Sequence, residues 1–266
     1  MAHLQQFAYG WITPALAYLF SFLGCLLGLK ATGRARMVTG AARMRWLGLA
    51  AWAIGGTGIW VMHFVAMIGF EVNGSDVRFD VPITIASWLT AIIVVGAGLF
   101  FVGYGRPSAA KVIIGGVLTG VGVAAMHYTG MYAMRVDGMV MYNMKLVWAS
   151  VGIAVVASIV ALWFTVTVRS TVGVIVAGAI MGVAVFGMHY VGMLAMSVHL
   201  NNDNAPVSGV AALTFLIPIL LFVLLVVVAL GYAMLNSPSE RDAASLEEMD
   251  ARLTAPPAPP APRTLR

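Results

Sequence analysis

Seven stretches of almost unbroken apolar sequence alternate with short polar connections: Trp11–Leu29, Trp46–Phe70, Pro82–Tyr104, Val112–Met134, Leu146–Val168, Val172–Met196 and Ala211–Leu235. Each is close to the roughly 20 residues a helix needs to cross a hydrocarbon core. The pattern predicts an all-α, polytopic membrane protein with seven transmembrane helices. Pro82 falls at a helix start, where its missing N–H costs nothing. Pro218 falls inside the last span and predicts a kink that neighbouring helices can tolerate. Composition agrees: 61% of the 266 residues are hydrophobic and only 9% charged, against about 25% charged in a soluble domain.

The net charge of +5 is distributed in a way that fits membrane orientation better than nucleic-acid binding. Lys30, Arg34, Arg36, Arg43, Arg45, Arg106, Lys111 and Arg169 all fall in alternate connections on one side. The other side holds Arg78, Arg135 and Lys145 with Glu71, Asp76, Asp80, Asp137 and Asp203. Positive residues stay inside, so the N-terminus is expected outside and the C-terminus in the cytoplasm. Glu71 and Arg135 are expected to act as independent interfacial charges. The opening MAHLQQFA has no basic region, so the first apolar run is expected to be a retained helix. Two domains follow: a membrane domain over 8–235 and a largely disordered, proline-rich cytoplasmic tail over 236–266.

The second, fourth and sixth spans repeat. They read GTGIWVMHFVAMIGF, GVGVAAMHYTGMYAM and MGVAVFGMHYVGMLAM, aligning without gaps on His63, His127 and His189. The separations of 64 and 62 residues are one helix pair each, so the chain reads as three helical-hairpin repeats plus a C-terminal helix. Glycine stands seven positions before each histidine (Gly56, Gly120, Gly182), methionine four after (Met67, Met131, Met193), and these offsets share a helix face. Gly116-x-x-x-Gly120 and Gly178-x-x-x-Gly182 are small-residue faces suited to close packing in lipid. The small residue at +3 (Ala66, Gly130, Gly192) leaves room beside the imidazole. All three helices run in the same direction, which brings the histidines to one depth, accessible from the outer side.

Histidine within a span is costly and reads first as functional. Imidazole suits copper in either oxidation state and thioethers select Cu(I). Both are neutral, so they hold a cation in a low-dielectric site without burying carboxylates. The candidate ligands are His63, His127, His189, Met67, Met131 and Met193. Met62, Met126 and Met188 point about 100° away from the histidines and are assigned, with Tyr128, Tyr190 and Thr129, to a supporting role. Met134 and Met196 fall at +7 on the histidine face. Met139, Met141 and Met144 form a soft cluster in an outer connection, where His3 and His199 are solvated histidines able to capture metal. Cys25, the only cysteine, is rejected as a ligand because it lies toward the inner end of its span.

The motif MHYT stands complete at Met126–Thr129, with variants at Met188–Val191 and Met62–Val65. In these residues and their spacing, over about residues 8–235, the chain resembles the MHYT family of bacterial integral membrane sensor domains. The resemblance implies a cytoplasmic-membrane domain that coordinates copper and senses oxygen, carbon monoxide or nitric oxide. Many relatives carry cytosolic cyclic di-GMP or kinase modules. Here Phe64 replaces one tyrosine, and Val65 and Val191 replace threonines, so three equivalent Tyr–Thr pairs are not expected. The reading is a copper-dependent gas or redox sensor acting through the tail, the inner connections or a separate cytoplasmic signalling protein. Copper acquisition or transport, and haem binding through paired histidines, are the rivals. No acid/base pair, nucleophile constellation or nucleotide loop marks an enzyme.

Overall fold

The computed structural model describes residues 2–201, 206–235 and 249; the tail expected to be disordered lies outside these apart from Met249. Seven helices are long and apolar enough to span a membrane: α1 Ile12–Met37, α2 Gly40–Ile68, α3 Val81–Gly103, α4 Ala109–Ala133, α5 Met144–Thr167, α6 Thr171–Leu194 and α7 Ala212–Leu235. The chain is a multi-pass membrane protein. Lys30, Arg34 and Arg36 do not lie in a loop but in the last turns of α1, and Arg43 and Arg45 lie in the first turns of α2. Hydropathy marks where the lipid ends. Alanine, arginine and methionine are good helix formers and carry both helices beyond it.

Helix ends are closed by side chains. Asp80, Ser108, Asn143 and Ser170 cap the N-termini of α3 to α6, accepting from the backbone N–H groups of Ile83, Lys111, Lys145 and Gly173. Pro82 sits in the first turn of α3, as its missing donor allows. At the opposite ends, Arg43 donates to the Gly103 carbonyl and Lys111 Nζ to that of Tyr104 at 2.8 Å, while Arg36 donates to the Thr165 and Val168 carbonyls. Cations there satisfy orphan carbonyls and oppose the helix dipole. These basic residues therefore close helix ends.

α1 to α6 form a ring in chain order, closed by contact of α1 with both α2 and α6. The histidine helices α2, α4 and α6 alternate around it with α1, α3 and α5. The small-residue faces pack each histidine helix against one of these intervening helices, not against another histidine helix. A Cβ at Gly120 would meet Val155 of α5, one at Gly182 would meet Phe22 and Tyr18 of α1, and one at Gly56 would meet Trp88 and Ile92 of α3. The histidine helices are thus interleaved in the ring with the helices between them. Seven residues of helix return only to within about 20° of the starting direction, and small residues at −7 leave their groove to the flanking helix. α7 lies outside the ring against α1 and α2, and its helix continues through Pro218.

Between Trp52 and Val61, α2 is wound as a π-helix, a form that is rare and concentrated at functional sites. Its glycines admit both neighbours. A Cβ on Gly24 of α1 would lie 2.6 Å from Gly58 Cα and 2.5 Å from the Ala53 carbonyl oxygen. One on Gly55 would lie 2.6 Å from the Ala91 oxygen of α3. These are backbone atoms, which cannot swing aside. Gly24→Ala is therefore expected to lower stability by about 1–3 kcal/mol, the usual cost of overpacking. Gly48→Ala, with nothing within 4 Å, is the comparison. Thermal unfolding of both in detergent checks the difference.

One end of the ring carries a cap that hydropathy does not predict. The N-terminal segment contributes β1 (Leu4–Gln5), and the connections after α2, α4 and α6 contribute β2 (Glu71–Val72), β3 (Arg78–Phe79), β4 (Met134–Arg135), β5 (Gly138–Tyr142), β6 (Met196–Leu200) and β7 (Val210–Ala211). β1 pairs with β2, β3 lies between β4 and β7, and β5 pairs with β6. Arg135 pairs with Asp80, not with Glu71, at 3.0 Å. That hydrogen bond, with the Ile83 N–H, holds the Asp80 carboxyl below its ordinary pKa. β4 is thereby tied to the start of α3.

Candidate metal centre

His63, His127 and His189 lie five or six residues before the capped ends of α2, α4 and α6, about 8–9 Å below them at helical rise. The structure brings them together. Nδ1 of His63 is 2.9 Å from Nδ1 of His189 and 3.1 Å from Nδ1 of His127. One ligand nitrogen from each ring lies within 4.8 Å of the others. Ring centroids are 4.9 to 5.3 Å apart with nearly perpendicular planes. The nitrogens rather than the ring faces therefore converge.

The three imidazoles are 1%, 0% and 1% exposed, so the expected access from the outer side is closed in this structure. Phe79, from the cap strand β3, is fully buried with its ring 5.6 Å from that of Phe64. The cap seals the end of the ring because the strands between helices fold back over it. Met134 and Met196 belong to β4 and β6, so the helical +7 relation to the histidines does not hold; both are buried.

The +3 glycines, Gly130 and Gly192, leave room for a neighbouring repeat's histidine rather than for their own. A Cβ on Gly130 of α4 would come within 2.6 Å of His63 Nε2, and one on Gly192 of α6 would strike His127 Nε2. Each glycine thus seats the preceding repeat's imidazole. His63 Nε2 and His127 Nε2 are buried without a hydrogen-bond partner. The six methionines flanking the histidines (Met62, Met67, Met126, Met131, Met188, Met193) are all buried in the same core. Thr129 is half-buried.

The tyrosines do not hydrogen-bond the imidazoles. Tyr128 and Ser150 of α5 share a hydrogen bond of 2.7 Å, whereas the Tyr190 hydroxyl is buried without a partner and its ring stacks on Phe7 at 5.5 Å. Each following ring lies edge-on to its histidine: Phe64 at 4.8 Å, Tyr128 and Tyr190 at 4.9 Å. These aromatic rings support the imidazoles by contact, which phenylalanine can do as well as tyrosine.

Inward of the cluster the ring encloses a largely apolar cavity of about 40 Å3. Ile59, Val123 and Val185, each four residues before a histidine, line it, so it begins one turn below the imidazoles. Met188, Met181 and Cys25 add sulfur to its wall. Cys25 is fully buried and lines this cavity, midway along α1. No periodicity in α1 announces that orientation, because the ring is closed by packing between distant parts of the chain.

The donor set fits a soft or borderline metal ion. Three neutral nitrogens converge with no carboxylate in the cluster. Metal–nitrogen bonds of about 2.0 Å in tetrahedral or trigonal geometry require nitrogens about 3.3–3.5 Å apart. The two pairs that include His63, at 2.9 and 3.1 Å, need widen by only a few tenths of an ångström, which also relieves the crowding of their lone pairs. The third pair lies within 4.8 Å.

Three segments of the chain, residues 56–115, 120–178 and 182–245, match the MHYT family, described as the bacterial signalling protein N-terminal repeat. They begin at Gly56, Gly120 and Gly182. The chain is similar to the Pseudomonas aeruginosa bifunctional diguanylate cyclase/cyclic di-GMP phosphodiesterase MucR, with 34% identity over 71% of this chain and 28% of that protein. It is similar to the cyclic di-GMP phosphodiesterase NbdA of the same organism, with 31% identity over 69% of this chain and 24% of that protein. The Bacillus subtilis signaling protein YkoW is 30% identical over 72% and 24%. The matched region is about a quarter of the length of these relatives. No solved structure matches the chain. Its three matched repeats, each opening on the glycine that precedes a histidine by seven residues, make this chain a member of the MHYT family.

Proposed function

We propose that the chain is a membrane-embedded sensor, not an enzyme, that holds copper through His63, His127 and His189 and responds to a diatomic gas (O2, CO or NO) or to redox state. The convergence of three buried Nδ1 atoms in a carboxylate-free cluster carries this reading. Met67, Met131 and Met193, one turn toward the cap, supply thioethers that favour Cu(I). Copper held there would supply a coordination position open to a diatomic ligand. The apolar cavity one turn inward is of the kind that stays dry and takes small apolar guests, which supports a gas as the signal. Because Gly130 and Gly192 seat the rings of His63 and His127, a change in imidazole spacing presses on α4 and α6. That displacement reaches the far end along rigid helices.

The basic end of the bundle faces the cytoplasm of a bacterial inner membrane in this reading, with the N-terminus outside. A concave surface there, lined by Lys30, Arg34, Arg36 and Arg169, suits anionic headgroups. Output passes to a cytoplasmic signalling module or separate partner, as the cyclic di-GMP names of two relatives suggest. Copper passage is the second reading, and the sulfur-lined cavity below the histidines favours it. Haem is disfavoured, since rings 4.9 to 5.3 Å apart, backed by glycines, leave no room for a porphyrin.

The test is addition of CO to the full chain, purified in detergent and loaded with Cu(I). A new CO stretching band in the infrared, absent from metal-free protein, is expected. No copper above background in folded protein, or no band, overturns the sensor reading. Copper uptake by cells that falls with His127→Ala would support passage.

A further inference from the structure

The cap brings soft donor side chains together on a surface the buried histidines do not use. β5 and β6 pair antiparallel with Met139 opposite His199 and Met141 opposite Ser197. Directly paired residues share a face of a sheet, and successive residues alternate between faces. Val140, Tyr142, Met196 and Val198 pack toward the core. Met139, Met141 and His199 therefore occupy the opposite face, where Met139 is 66% and Met141 37% exposed and His199 is exposed too.

Opposed residues have Cβ atoms about 4.5–5.5 Å apart, and diagonal ones lie about 7–8 Å apart. A thioether arm from each methionine and the imidazole of His199 span those gaps. Packing within the protein does not explain the methionines, since their thioethers stand outside its core. The N-terminal segment runs along β6, with the Ala2 N–H donating to the Val198 carbonyl at 2.8 Å. That contact brings exposed His3 to the same end.

We propose that Met139, Met141 and His199 form a surface site for a soft monovalent cation, Cu(I). Two neutral thioethers and an imidazole match the donors that select Cu(I) over harder ions. The site shares no ligand with the buried cluster and stands whether or not that cluster holds metal.

Hydrogen-peroxide oxidation of the full chain in detergent, read by peptide mass spectrometry, tests it with Ag(I) as a redox-inert probe. Exposed thioethers oxidise to sulfoxides. Silver at ten times its dissociation constant is expected to slow oxidation of Met139 and Met141 about tenfold. Met44, 51% exposed at the other end of the bundle, is expected to oxidise at an unchanged rate. His199→Gln is expected to weaken protection of both methionines together. Equal rates with and without silver overturn the site, as does protection that survives His199→Gln. In a Cu(I) titration, Met139→Leu with Met141→Leu is expected to bind one equivalent fewer than wild type; an unchanged count overturns the proposal.

Discussion

Alanine in place of His127 is expected to lower the copper retained by purified protein by about one ion per chain, the share held by the buried cluster. Three imidazoles supply the whole nitrogen donor set, and the described residues place no carboxylate or cysteine thiol within that cluster to substitute for one. Altering a group that merely orients a ligand costs about 10–100-fold in metal affinity; removing the ligand costs more. Helix content and elution volume show whether the variant folds, and His127→Gln, which preserves more of the volume, serves where alanine does not. Wild-type copper content in either folded variant would remove the basis for a metal centre.

Gly192→Ala is expected to weaken copper binding at least tenfold without touching a donor atom, on the scale of changes to groups that orient ligands. The added methyl would lie within 3.1 Å of three ring atoms of His127. The ring has little freedom to retreat, with Tyr128 edge-on at 4.9 Å and His63 Nδ1 at 3.1 Å. It must therefore tilt, carrying Nδ1 away from the other two nitrogens. Gly187→Ala on the same helix has nothing within 4 Å and is expected to leave binding unchanged, since alanine is the better helix former by about 1 kcal/mol. Metal titration with a competing chelator compares the two. Equal affinities would show that the glycine does not seat the imidazole.

Gly192 also shows how far a linear reading reaches. Its small size beside a motif histidine was visible, and space for that histidine was the natural inference. The beneficiary is His127, in a different repeat, and only the lateral arrangement of helices reveals it. The pairing of Arg135 with Asp80, the hydrogen bond between Tyr128 and Ser150, and the placement of Met139 opposite His199 are of the same kind. Each joins residues whose separation along the chain carries no period.

What the residue order determined by itself were the seven spans and the register of His63, His127 and His189. Lipid acts on each residue separately, so hydropathy reports it directly, and three copies of one motif on parallel helices reach equal depth by geometry alone. The tertiary structure alone decided that α1 closes the ring, that α2 is wound as a π-helix through Trp52–Val61, and that short strands cap the end of the ring over the cluster. Those features arise from close backbone contacts and from strands of two to five residues, too short to leave a periodic pattern. Their energy lies in pairs of distant segments rather than in any one of them.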